Sequence, residues 1–159
     1  MIILGIDPGI AIVGYAILVF KKNKFFVSDY GCVRTSSQKI FSQRILQIYQ
    51  EIDLLIKKYK PNIIAIETIF FAKNAKTAMK VSESRGIAAL LAAQNDITIK
   101  EYTPLQVKQA LTGYGRASKE QIQKMVKSIL CLEKIPQPDD VADALAIAIT
   151  CAQTKNFNL

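Results

Sequence analysis

A chain of 159 residues, half of them apolar and 21% charged, is long enough to bury a core of its own and has the composition of a globular domain. It contains no histidine and only three cysteines, Cys32, Cys131 and Cys151, far apart, which excludes Cys/His zinc sites and any Ser-His or Cys-His nucleophilic pair. The balance of 21 basic against 13 acidic residues gives a net charge of +8, which favours polyanionic partners, nucleic acid first. The cysteines read as small buried residues in a reducing cytosol. The first residues follow a strand pattern with no basic leader, and no apolar run reaches the roughly 18 residues of a membrane helix, so neither a signal peptide nor a membrane association is expected.

Met1 to Ile6 is a continuous apolar run that ends on Asp7, followed at once by Pro8 and Gly9. This is a strand over 2–7, buried on both faces and closed by a turn. Two more strands follow, 12–20 and 25–33, with Lys21-Lys22-Asn23-Lys24 as the second turn, which makes an antiparallel meander. Phe41, Ile45, Ile48, Ile52, Leu55 and Tyr59 then recur at helical spacing until Pro61. A strand over 63–67 ends on Glu67, a helix covers 73–93, a short strand covers 97–102, and helices begin near 104, 119 and 139. The order predicts one α/β domain over 1–159: a mixed sheet, meander plus parallel strands, flanked by helices.

Asp7 and Glu67 each end an apolar strand. If those strands lie parallel and adjacent, both acids share the carboxyl edge of the sheet, where ligands gather. Asp7 alone is a good turn residue before Pro-Gly, but Glu is depleted in strands and has no turn role at 67. A third group lies in Pro138-Asp139-Asp140-Val141-Ala142-Asp143. Acids in a first helical turn are ordinary capping and dipole chemistry. However, Asp140 and Asp143 are three apart and can point from one face, and one acid suffices for a cap. Four converging acids repel one another unless a cation sits among them. All-oxygen ligands suit Mg2+, with Mn2+ as a substitute. Two such ions about 4 Å apart clamp the attacking water and the leaving oxygen of a phosphodiester, chemistry that needs no histidine.

Thr103-Pro104-Leu105-Gln106 and Ser118-Lys119-Glu120-Gln121 have the form of capping boxes, so each starts a helix. Lys119 then sits in a first turn, where its charge opposes the macrodipole unless an anion approaches. Arg116 and Lys119 are accordingly read as phosphate contacts. Phe70 and Phe71 follow the Glu67 strand and point opposite ways in an extended segment, leaving one of them free to stack on a base. Ala75, Met79, Ser82, Gly86, Ala89 and Ala93 form a stripe of small residues on the 73–93 helix that permits close packing.

Together, Ile6-Asp7-Pro8-Gly9, Ile66-Glu67, Phe71-Ala72-Lys73-Asn74-Ala75, Gln106-Val107-Lys108-Gln109 and Asp140-Val141-Ala142-Asp143-Ala144-Leu145-Ala146 resemble the RuvC family, in order and over nearly the whole chain. These are bacterial Holliday junction resolvases with a ribonuclease H-like fold. The resemblance implies a homodimeric, Mg2+-dependent endonuclease that nicks two like-polarity strands of a four-way DNA junction. The family's catalytic acids fall on Asp7, Glu67, Asp140 and Asp143, its active-centre lysines on Lys108 and Lys119, and its junction-contacting aromatic on Phe70, with Phe71 adjacent. It further implies the small-residue stripe as dimer interface, RuvA and RuvB as partners, and the cytoplasm as location. Two other readings explain less. An actin-like ATPase or kinase fragment accounts for Leu4 to Gly9 and leaves no room for the second phosphate-gripping domain. A non-catalytic nucleic-acid-binding module accounts for the charge and leaves the strand-end acids without purpose.

Overall fold

The fold is that of a computed structural model, which describes the backbone of residues 1–68 and 75–154 and the side chains of 1–68 and 82–154. Five strands and five helices follow in the order β1 (Ile2–Asp7), β2 (Ile12–Lys21), β3 (Lys24–Arg34), α1 (Phe41–Tyr59), β4 (Ile63–Glu67), α2 (Ala75–Gln94), β5 (Thr98–Tyr102), α3 (Pro104–Thr112), α4 (Lys119–Ile129) and α5 (Asp139–Thr154). Local chemistry sets these limits. Lys22 and Asn23 both adopt positive φ, so the β2–β3 turn tightens to the two-residue form that suits twisted hairpins. Lys60 ends α1 in the left-handed conformation with its N–H on the Ile56 carbonyl, and Pro61 follows. Both capping boxes form: Thr103 with Gln106 opens α3, and Ser118 with Gln121 opens α4.

The sheet order is β3-β2-β1-β4-β5. β1 pairs antiparallel with β2, and β2 with β3; β1 pairs parallel with β4, and β4 with β5. Side chains alternate between two cores. Leu4, Ile6, Ile64 and Ile66 face α1 and α2, with Ile48, Ile52, Ile87 and Leu91 against them. Ile3, Ile63 and Ala65 face the other way, toward α5 and the α3 and α4 residues that cover it. Both faces of β1 and β4 are therefore buried, which is why their sequences run apolar without alternation. Two expectations need correction. Phe41 lies at the exposed start of α1, outside the buried stripe. Of the cysteines only Cys151 is buried; Cys131 is exposed because it occupies a left-handed turn position after α4, and Cys32 is half-buried on an edge strand.

α5 is apolar almost all round, and Val141, Ala142 and every residue from Ala144 to Ala152 are buried. It lies unusually close to the sheet. A Cβ on Gly5 would stand 2.3 Å from the Ala144 carbonyl oxygen, and one on Gly14 only 1.9 Å from that of Asp140. Neither strand position tolerates a side chain while the helix stays where it is. Gly14→Ala is expected to lift the start of α5, destabilising the fold by about 1–3 kcal/mol. Because a shift of ~1 Å at a reacting centre costs about 10²-fold, activity should fall further than stability does. Denaturant titration together with a cleavage assay checks this, and a variant of unchanged activity contradicts the packing argument.

Candidate active site

The edge where β1 and β4 end carries the acids. The parallel register aligns Ile6 with Ile66, so Asp7 and Glu67 are neighbours one residue further on. Alternation from Ile3 and from Ile63 and Ala65 turns both toward α5. Gly14 pairs with Asp7 across β1–β2 and lies under the Asp140 carbonyl, which brings the first turn of α5 over the same edge. Asp140 and Asp143 stand in that first turn and the next.

The electrostatics confirm the convergence. Burial pushes the Asp7 carboxyl up to about 8, helped by the negative charges of Asp143, Glu67 and Asp140 and partly offset by Lys119. Glu67 is raised to about 6, by burial first and then by Asp143, against the pull of Lys119. Asp143 is also raised, burial outweighing its hydrogen bond to Lys119. Asp7 therefore lies in the field of the other three acids that the sequence singles out.

Lys119, the first residue of α4, resolves part of this charge. Its Nζ lies 3.1 Å from Asp143 and 3.3 Å from Asp139. Burial works against its charge, but these two ion pairs hold its pKa above the ordinary lysine value. The charge that opposes its own helix is thus compensated by acids of the neighbouring helix. Asp139, readable in the sequence only as a capping acid, also accepts a hydrogen bond of 2.9 Å from Gln123 Nε2. Gln123 is nearly buried and was not singled out in the sequence. Its signal was present: a polar residue four after Lys119, on the same face, beside the buried Ile122 and Val126.

A cleft of about 260 Å³ opens here, with Glu67, Asp143, Lys119 and Lys108 on its wall and Val107, Ile122 and Ile147 beneath. Lys119 thus reaches the carboxylates from α4, and Lys108 of α3 lines the same cleft. Arg116 is exposed in the α3–α4 loop and does not line this cleft. Phe70 and Phe71 lie outside the described residues. Among the described residues, no three acidic or cysteine side chains close into a tight ligand cage as they stand. The donor set is all carboxylate oxygen, with Lys119 paired into it.

A family model described as crossover junction endodeoxyribonuclease RuvC matches residues 3–151. The chain belongs to the RuvC family. A RuvC of Alkaliphilus metalliredigens is 56% identical over 157 residues, covering 99% of this chain and 96% of that one. The Thermus thermophilus RuvC structure superposes with a TM-score of 0.92 at 34% identity, over 99% of this chain and 96% of that one. The same protein in complex with a Holliday junction substrate gives 0.91 at 31%, over 99% and 97%. The mitochondrial resolvase Ydc2 of yeast, 13% identical with a TM-score of 0.66 over 97% of this chain and 80% of that one, shares the fold. The ribonuclease H-like mixed sheet implied by the sequence is thus the fold of RuvC proteins.

The raised carboxyl of Asp7 sets a pH dependence of stability. Unfolded, Asp7 titrates near the ordinary 3.8; folded, near 8. Between those values the folded state holds a proton that the unfolded chain has released, so stability falls as pH rises through the window and is highest below it. Asp7→Asn abolishes this term. In chelator the variant should melt above the parent at about pH 8, with the gap closing toward about pH 4. Thermal melts across that range test it, and a variant that melts lower at pH 8 contradicts the burial argument.

Proposed function

We infer that this chain resolves four-way DNA junctions by metal-assisted phosphodiester hydrolysis, with Asp7, Glu67, Asp140 and Asp143 as the metal-holding carboxylates. Membership of a family of crossover junction endodeoxyribonucleases gives the activity, and the T. thermophilus relative is known with a Holliday junction substrate. The observation that carries the assignment of residues is the buried Asp7 carboxyl, raised to about 8 by its surroundings and by three further acids. A site of this kind repels a phosphodiester unless divalent cations neutralise it. The donor set fits Mg2+ or Mn2+: carboxylate oxygens alone, partly withdrawn from water, on strand and helix ends that cannot drift apart. Two ions per site is our reading; Asp7, Glu67, Asp140 and Asp143 would hold them, and the ions would supply activation of a water and charge stabilisation at the leaving oxygen.

The chain's own groups do the rest. Asp7 must give up its proton to become a ligand, so metal and proton compete for it. Lys119, held by Asp139 and Asp143 and thereby by Gln123, carries positive charge to the cleft from a fixed position, which favours a role at the scissile phosphate over simple docking. Lys108 holds the DNA backbone across the same cleft, and Arg116 contacts phosphate from the exposed loop outside it. Phe70 is assigned to the junction centre, with Phe71 as the alternative.

A junction presents two equivalent strands, so a two-fold dimer fits it. We assign the dimer face to α2. Ile87 and Leu91 are buried against α1 and the sheet, whereas Ser82, Gly86, Ala89, Leu90 and Ala93 are exposed, and a Cβ on Gly86 would meet nothing within 4 Å. No helix among the described residues is long and apolar enough to cross a membrane. A cytoplasmic location and loading by RuvA and RuvB belong to the same proposal.

One set of assays tests these assignments. On a synthetic four-way junction with Mg2+, the parent should make paired nicks that chelator abolishes, while a matched linear duplex stays intact. Asp7→Asn should bind the junction and cut more than about 100-fold slower. Lys119→Ala should cut roughly 10–100-fold slower with an unchanged salt dependence of binding, whereas a pure phosphate contact would flatten that slope by about one. Gly86→Glu should run as a monomer and lose the pairing of the nicks. Junction cutting that survives Asp7→Asn, or duplex cut as readily as junction, overturns the reading.

A further inference from the structure

We propose that Arg34, Lys39 and Arg44, at the end of β3 and the start of α1, form a second track for the DNA backbone, which carries the duplex arm away from the active site on the side opposite Lys108 and Lys119. The inference rests on the junction-resolving function proposed above and extends it to how the substrate is seated.

The three cations share an edge with the carboxylates. β3 ends where β1 ends, because β1–β2 and β2–β3 are both antiparallel: Asp7 pairs with Gly14, and Gly14 with Cys32, two residues before Arg34. Val33 faces the α1 core, and Arg34, at the end of β3, lines a crevice with Gln47, Glu51 and Lys58 of α1. Two strand spacings of about 4.8 Å and two residues of about 3.4 Å place its Cα roughly 12 Å from that of Asp7. Because a DNA strand winds around its axis as it rises about 3.4 Å per nucleotide, that span reaches about two phosphates from a scissile bond held at Asp7.

None of the three is paired with a carboxylate among the described residues. The ion pairs among the described residues are Lys57–Asp53, Arg85–Glu101, and Lys119 with Asp139 and Asp143. Arg34 is exposed, and Glu51 of α1 lines the same crevice without an ion pair to it. Lys39 meets only a neutral acceptor, Gln47 Oε1, at 2.9 Å. Arg44 is the best ordered. Its Nε donates to Thr35 Oγ1 at 2.8 Å, and that hydroxyl donates to the Ile10 carbonyl, in the loop that follows Asp7. This chain orients the guanidinium by one edge and leaves its terminal nitrogens without an acceptor among the described residues. A guanidinium fixed by neutral groups and unpaired with carboxylate is suited to a phosphate. Exposed Ile40 and Phe41 lie between Lys39 and Arg44 and offer apolar surface to the sugars of the same strand. Seen whole, the catalytic edge has cations on both flanks and acids between them, which places a polyanion across it with its reacting phosphate over the acids.

The test uses the intact protein and an Arg34→Gln, Lys39→Gln double variant. Arg44 is left in place because it also holds Thr35. Junction binding is followed by anisotropy as salt is varied, on an unmodified junction and on junctions with a single neutral methylphosphonate at stepped positions from the cut. The variant should bind roughly tenfold more weakly at moderate salt, with a salt slope flatter by about two. Its nicking should fall at low protein concentration and recover as protein is raised. The parent should be weakened most by a methylphosphonate about two nucleotides from the cut, and the variant should be indifferent to it. Parental affinity and slope in the variant, or equal sensitivity of both proteins at every position, overturns the track. Junction nicking by the parent is the internal control: if it is absent, the proposed function fails first, and this inference with it.

Discussion

Two carbonyl oxygens, those of Asp140 and Ala144, occupy the space where side chains on Gly14 and Gly5 would stand. Everything at the acidic edge depends on that contact. It sets α5 down on β1 and β2 at backbone distance, so that carboxylates from a helix meet carboxylates from two parallel strands. The helix can lie there only because it is apolar on nearly every side, buried by the sheet below and by α3 and α4 above. Position is thus determined by close packing, which resists displacement, rather than by flexible side chains.

The same packing makes the site electrostatically uncomfortable. Asp7 and Glu67 are drawn out of water at the ends of buried strands, and the nearby acids raise both further. Such strain is the usual mark of a functional cluster. Lys119 moderates it from across the cleft, and its own position is secured through Asp139 and Gln123. A lysine at a helix start, unfavourable to its own helix, becomes a favourable neighbour of the next one. The arrangement favours a cation at the site over a vacant cluster of charge, and supports the reading of those acids as ligands.

Much of this was legible in the sequence, for physical reasons that can be named. An apolar run ending on an acid has few explanations, and two of them, Asp7 and Glu67, pointed to one sheet edge. The boxes at Thr103 and Ser118 start helices because their side chains bond backbone locally, which spacing alone reveals. What could not be read were contacts between elements distant in sequence. Asp139 looked like a capping acid, and only the packing of α4 on α5 makes it the partner of Lys119 and Gln123. Phe41 fitted the helical period of α1 but stands exposed as its first residue. Arg34 and Arg44 carried no motif, and only the pairing of β1, β2 and β3 brings Arg34 to the same end of the sheet as Asp7.

The central claim is that Asp7 holds a proton in a cluster built to exchange it for a metal ion. Calorimetric titration with Mg2+ at pH 7, repeated in buffers of different ionisation enthalpy, measures that exchange directly. With its carboxyl raised to about 8, Asp7 is largely protonated at that pH. Binding should then release close to one proton from this residue, and the release should disappear in Asp7→Asn. Heats that do not depend on the buffer would mean that Asp7 is already ionised, or that the metal binds elsewhere, and either would contradict the account.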